Sequence, residues 1–135
     1  MSAIAELDPQ AAHELLASEP EARLIDVRSR VEFEFVGHPI GAVHVPWKEF
    51  PDWSENPAFV DEVKTTLGDA LTADTPLLLI CRSGARSMSA ARALADAGFT
   101  RLYNVAEGFE GDLDDNKHRG NINGWRQRDL PWEQS

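Results

Sequence analysis

The chain has a single cysteine, Cys81, among 135 residues. An internal disulfide is therefore excluded. Basic residues are scarce too: 13 Lys and Arg against 23 Asp and Glu leave a net charge of −10 and a pI near 4.7. A nucleic-acid surface needs clustered Lys and Arg, and so does adsorption to anionic lipid, so neither nucleic acid nor membrane is expected as a partner. No apolar run approaches the length of a transmembrane helix. Met1 to Glu6 lack the basic and apolar regions of a secretory leader. A cytoplasmic location is expected, in keeping with a reduced Cys81. His13, His38, His44 and His118 are scattered without metal-ligand spacing, so no metal or other cofactor is expected. No repeat or heptad speaks to the oligomeric state, which the sequence leaves open.

What remains is an ordinary globular composition, 42% hydrophobic and 27% charged. The length fits one domain, 1–135, with a core over about 4–109 and an extension over 110–135 that packs on it. Strand and helix patterns alternate, which predicts an α/β fold with a largely parallel sheet. A short strand near Ala3–Glu6 is followed by Asp8-Pro9, a helix start with Asp8 as cap; Pro20 ends that helix. Arg23 to Val27 reads as a strand, and Ser29-Arg30-Val31-Glu32 has capping-box spacing for a short helix. A turn at Gly37–Gly41 leads to a strand over 42–45. The segment 51–57 reads as a loop, and Phe59, Val60, Val63, Leu67 and Leu71 recur at helical spacing over 58–71. Leu77 to Ile80 fits a central parallel strand buried on both faces. A helix with Met88, Ala91, Leu94 and Ala95 on one side ends near Gly98, and Leu102 to Val105 is the last strand. Phe109, Trp125 and Trp132 are expected to anchor the polar, Gly-rich remainder.

Cys81 opens the loop Cys81-Arg82-Ser83-Gly84-Ala85-Arg86-Ser87 between that central strand and its helix. In open α/β sheets, ligands bind beyond the carboxyl ends of the strands. The loop runs into a helix N-terminus, whose unpaired N–H groups and dipole favour an anion. A loop curled around the sulfur aims further amides at it, and Gly84 permits the backbone angles this needs. Arg82 and Arg86 add positive charge on an otherwise acidic chain. The expected species is a thiolate, or a persulfide anion once sulfur has been transferred.

At this point the residues resemble the rhodanese-like domain family. Leu24-Ile25-Asp26-Val27-Arg28 with Glu32-Phe33 is similar to the family's Asp-Val-Arg segment. Gly37-His38, Gly41-Ala42 and Val45-Pro46 are similar to its Gly-His-x-x-Gly-Ala turn, though the usual Ile-Pro order is reversed here as Pro39-Ile40. Cys81 to Ser87 resembles its active-site loop. Asn104 to Phe109, with Gly124-Trp125 and Leu130-Pro131-Trp132, resembles its C-terminal signature. The resemblance covers about residues 4 to 132. It implies a single rhodanese-type domain with a five-stranded parallel sheet, order 1-5-4-2-3, flanked by helices on both faces. It further implies that Cys81 attacks the sulfane sulfur of a small anionic donor such as thiosulfate and holds it as a persulfide for an external thiol, cyanide or protein acceptor. Loop amides from 82 to 87 would hold the outer sulfur, Arg82 and Arg86 would orient the donor, Asp26 would brace the loop, and Arg28 would form a structural ion pair.

Two other functions share parts of this pattern. Cysteine phosphatases and arsenate reductases also carry a thiolate in a loop before a helix. The phosphatase pattern has five residues between Cys and Arg, whereas four, Arg82 to Ala85, separate Cys81 from Arg86. A non-catalytic protein-binding module is the second alternative, although the nucleophile is present. His38 reads as a structural hydrogen-bonder and His44 as an ordinary strand residue. The family's Gly-Trp commonly follows the last strand closely. Here an acidic insert, 111–123, intervenes, with a surface loop or a gate at the site mouth as its two readings.

Overall fold

Strand β1 (Ile4–Leu7) opens the computed structural model, which describes residues 4–134. Ala3, in the expected first strand, lies outside them. Asp8 holds extended backbone and its Oδ1 accepts the Ala11 N–H at 2.8 Å, while Pro9 fixes the first turn, so α1 (Pro9–Ser18) starts where the capping chemistry places it. There follow β2 (Arg23–Asp26), β3 (His38–Pro39), β4 (Val43–His44), β5 (Lys48–Glu49), β6 (Ser54–Glu55), α2 (Phe59–Leu67), β7 (Leu77–Ile80), α3 (Ala85–Asp96), β8 (Leu102–Val105) and β9 (Trp132–Glu133).

Five strands form one parallel sheet in the order β1-β8-β7-β2-β4. Counted along the chain within that sheet, the order is 1-5-4-2-3, as the resemblance implied. The central strand β7 is wholly buried and alternates strictly. Leu77, Leu79 and then Cys81 face Phe59 and Val63 of α2 and Ala90, Ala91 and Leu94 of α3. Leu78 and Ile80 face Ala12 of α1 together with Phe109, Trp125 and Leu130. The period of two thus decides which face receives the thiol: it emerges on the α3 side, beneath that helix's first turn.

Three segments differ from expectation. The Ser29–Glu32 capping box forms, with Ser29 N donating to Glu32 Oε1 at 3.1 Å, but the turn it starts over Glu32–Val36 is π-helical. The helix expected to reach 71 ends at Leu67, where Gly68 turns to φ +72 and a 3-10 turn (Gly68–Ala70) follows. The expected loop over 51–57 contains β6, which pairs antiparallel with β5 to make a hairpin around Trp53.

The reversed Pro39-Ile40 order has a local reason. β3 pairs with β9, and the Ile40 N–H donates to Pro131 O at 3.0 Å. A proline at 40 would have no N–H to give. His38 and His44 both stack on one ring, Phe33, with centroids 3.8 and 4.4 Å away. His38 also bonds Phe33 O and Glu133, and His44 bonds Arg28 O, so both are engaged structurally. Trp125 is 1% exposed and packs with Leu24, Leu78, Ile80 and Val105 of the sheet, while its Nε1 donates to Pro131 O within the C-terminal segment.

Candidate active site

Cys81 follows the last residue of β7 and is 1% exposed. Its Sγ accepts the Gly84 N–H at 3.1 Å and lies 3.2 Å from Ser87 Oγ. Gly84 sits at φ +116, a conformation side-chain-bearing residues rarely adopt, and this angle turns its amide back toward the sulfur at the entry to α3. Of the amides expected to ring the sulfur, Gly84 alone makes the bond among the described residues. The rest of the shell comes from Ser87.

Ser87 is part of a chain of side chains. Asn104 Nδ2 faces two acceptors, Glu6 Oε1 and Gly84 O, each at 3.1 Å. Its Oδ1 is thereby turned to the Ser87 hydroxyl, which also has Gly84 O at 3.2 Å as an acceptor. Ser87 Oγ, a donor and an acceptor in one group, can accept from a Cys81 S–H or donate to an ionised sulfur.

The two arginines are used differently from each other. Arg82 is exposed, forms no ion pair among the described residues, and lines both hollows beside the loop. Arg86 was expected to orient the donor. Its guanidinium is instead clamped by Glu32, with Nη1 and Nη2 donating to the two carboxylate oxygens at 2.7 and 2.8 Å, and it lies over the Trp53 ring. Ser83 and Gly84 are half-buried, and Ala85 is exposed.

Burial pushes the Glu32 carboxyl up, but hydrogen bonds from Arg86 and its charge, then Ser29, outweigh this and lower the pKa from 4.5 to about 2. A carboxylate depressed in the folded state contributes stability above its ordinary pKa and loses it as pH falls through the folded value. Glu32→Gln is therefore expected to lower stability at neutral pH by about 1–3 kcal/mol, the range for hydrogen bonds to charged groups. The deficit should shrink below pH 4.5 and vanish near pH 2. Unfolding of both chains across that range checks it; a deficit independent of pH would refute the pairing.

Asp26 and Arg28 are both fully buried and bind each other. Asp26 accepts from Arg28 N, Nε and Nη2, the last at 2.6 Å. The expected direct brace from Asp26 to the loop is not what the geometry shows, because both oxygens are spent on Arg28. The link runs onward instead: the Arg28 guanidinium lies 4.5 Å over the Phe109 ring, and the Phe109 N–H donates to Cys81 O at 2.8 Å. Glu110 N and Gly111 N both donate to Arg82 O. Holding these two carbonyls on the far side leaves the sulfur facing α3.

The model of the family described as "Rhodanese-like domain" matches residues 8–114. The chain belongs to the rhodanese-like domain family. A crystal structure of Rv0390 from M. tuberculosis superposes with a TM-score of 0.86, at 39% identity, covering all of both chains. The uncharacterised RP600 homolog of Rickettsia rickettsii is 35% identical over 125 residues, 90% of this chain and 91% of that protein. Thiosulfate sulfurtransferase 16, chloroplastic, of Arabidopsis thaliana is 34% identical over 100 residues, 73% of this chain and 78% of that one.

In this rhodanese-like domain the acidic insert borders the mouth of the site: Leu113, Lys117, His118 and Arg119 line a hollow of about 630 Å³ together with Trp53 and Arg82. A smaller hollow of about 380 Å³ is lined by Lys48, Trp53, Arg82 and Arg86. A third, of about 620 Å³, lies at the other end of α3 near Gly98, away from Cys81. The roles of Trp53, Asn104, Lys117 and Arg119 are not stated by their local sequence. Asn104 alone carries a signal, as a polar residue inside the apolar strand Leu102–Val105. No group of His, Cys, Asp and Glu suited to a metal ion occurs among the described residues, and none of their helices is long and apolar enough to cross a membrane.

Proposed function

We propose that the protein is a sulfurtransferase that moves a sulfane sulfur from a small anionic donor such as thiosulfate, through a Cys81 persulfide, to an external acceptor. The observation that carries the reading is the placement of Sγ at the carboxyl end of β7, 3.1 Å from the Gly84 N–H at the entry to α3. A helix N-terminus stabilises negative charge, and a donor amide held there keeps its value as the sulfur ionises. The sulfurtransferase name of the Arabidopsis relative supports the same chemistry.

In the first half-reaction the Cys81 thiolate attacks the outer sulfur of thiosulfate. The S–S bond of the donor breaks, sulfite leaves with the electron pair, and Cys81–S–S⁻ remains. In the second, a thiolate, cyanide or protein nucleophile takes the outer sulfur and returns Cys81–S⁻. The acceptor comes from outside, since the chain has no second cysteine. Arg82, exposed at the mouth, meets the incoming anion. A reduced lone thiol suits a cytoplasmic setting.

Intact-mass measurement tests this. Reduced protein given thiosulfate is expected to gain one sulfur, about 32 Da, and lose it to cyanide as thiocyanate; Cys81→Ser should gain nothing. Absence of loading by every sulfane donor, or turnover of p-nitrophenyl phosphate in its place, would overturn the reading. The geometry speaks against the phosphatase alternative, because Arg86 is committed to Glu32 instead of standing free to grip an oxyanion.

A further inference from the structure

We propose that the insert is a recognition element, and that the physiological donor is an organic persulfide bearing two or more carboxylates, larger than thiosulfate. The inference rests on the reading of Cys81 as a sulfur carrier and names the substrate class of that site.

Charge is the first argument. On a chain with 23 acids and 13 bases, the hollow beside the loop gathers Arg82, Lys117 and Arg119, with His118. None of these three cations forms an ion pair among the described residues. Of the carboxylates lining the same hollow, Glu32 is already matched by Arg86, which leaves Glu110.

The fold of the insert is the second. Two of its three acids, Asp112 and Asp114, are bound within its own turns. Asp114 accepts from Asn116 N, His118 N and Asn121 Nδ2, at 2.8 to 2.9 Å. Asp112 accepts from Asn123 Nδ2 at 2.9 Å. With those carboxylates bound internally, the basic residues are left over the hollow. Arg119 is held in place by its bond from Nη1 to Gly111 O at 2.7 Å. An acidic segment therefore presents a basic face.

Size and walls are the third. About 630 Å³ lies within the roughly 300–1,000 Å³ of sites that enclose a whole organic ligand, and far exceeds what thiosulfate fills. Trp53 and Leu113 are 42% and 49% exposed and give a carbon skeleton something to lie against. Arg82 lines both hollows and directly follows Cys81 in the chain, so a ligand anchored over the insert sits beside the loop that carries the thiol. In the transfer, Cys81–S⁻ attacks the outer sulfur of R–S–S⁻, the donor's S–S bond breaks, R–S⁻ leaves with the electron pair, and Cys81–S–S⁻ forms.

The test compares Cys81 loading rates, by intact mass, from glutathione persulfide, from its diethyl ester with both carboxylates capped, and from thiosulfate. The native chain is expected to favour the free acid over the ester by about tenfold at low salt, with the preference falling as ionic strength rises. Lys117 stands at φ +62, an angle Asn tolerates, so Lys117→Asn removes the charge without refolding the turn. It should cut the preference about threefold, the scale of one exposed ion pair. Loading of acid and ester within about twofold of each other, or an unchanged preference in Lys117→Asn, would overturn the inference while leaving thiosulfate loading, and hence the sulfur-carrier reading, intact. No loading from any of the three removes both.

Discussion

Asp26→Asn is expected to cost about 3–5 kcal/mol of folding stability, the loss typical of breaking one side of a buried ion pair. The substitution keeps the side chain's size, so packing changes little. Arg28 stays behind with its guanidinium 0% exposed. Its remaining hydrogen bond, Nη2 to Gly37 O at 2.6 Å, satisfies one donor, and Nη1 has no partner among the described residues. Burying a charge without its counter-charge is the expensive arrangement, and a domain of this size has only about 5–15 kcal/mol in total. The native pair itself need not be stabilising relative to hydrocarbon. Asp26→Asn with Arg28→Met should therefore recover part of the loss. Denaturant unfolding of the three chains decides it. A single variant within about 1 kcal/mol of native would mean the pair is solvated or dispensable. Because Arg28 faces Phe109, and Phe109 holds Cys81 O, the single variant should also slow sulfur loading at temperatures where it remains folded.

The main strands and the place of Cys81 were legible because they follow from signals carried by consecutive residues, whereas the order of the strands came from the family resemblance. Leu77 to Ile80 is an unbroken apolar run, and the alternation through it assigns Cys81 to one face. Asp8-Pro9 announces a helix through its own backbone chemistry, and the cap forms as read. A period and a cap are local, so a single chain is enough to read them.

Partners across the fold were another matter. Arg86 reads as a free cation from its loop, yet Glu32 is 54 residues away in sequence and takes it. Asp26 reads as a brace for the loop, yet Arg28, two residues on, claims both oxygens. Nothing in the sequence says which of several carboxylates a guanidinium meets, because that depends on where a turn aims each side chain. The Glu32–Val36 turn is π-helical, and no periodicity announces that extra residue per turn. The insert shows the same limit in another form. Its composition is acidic, and only the folded arrangement shows that Lys117, His118 and Arg119 line the hollow while Asp112 and Asp114 are bound within its turns.

Gly108→Ala is expected to cost about 2–5 kcal/mol and to impair sulfur loading in whatever fraction still folds. Two causes add. Gly108 sits at φ +67, where a β-carbon costs about 1–2 kcal/mol. That carbon would also stand 2.5 Å from Arg82 C and O and 2.6 Å from Cys81 O. Those atoms are backbone and cannot rotate aside, so the loop itself must move, and with it the Gly84 amide that faces the sulfur. Gly68→Ala separates the causes: its φ is +72 and its β-carbon would meet nothing within 4 Å, so it carries the strain alone. The difference between the two variants measures the close approach of the 108–111 segment to the loop. Gly108→Ala no less stable than Gly68→Ala, with native loading rates, would show that the loop tolerates displacement, and the tight seat argued for Cys81 would have to be abandoned.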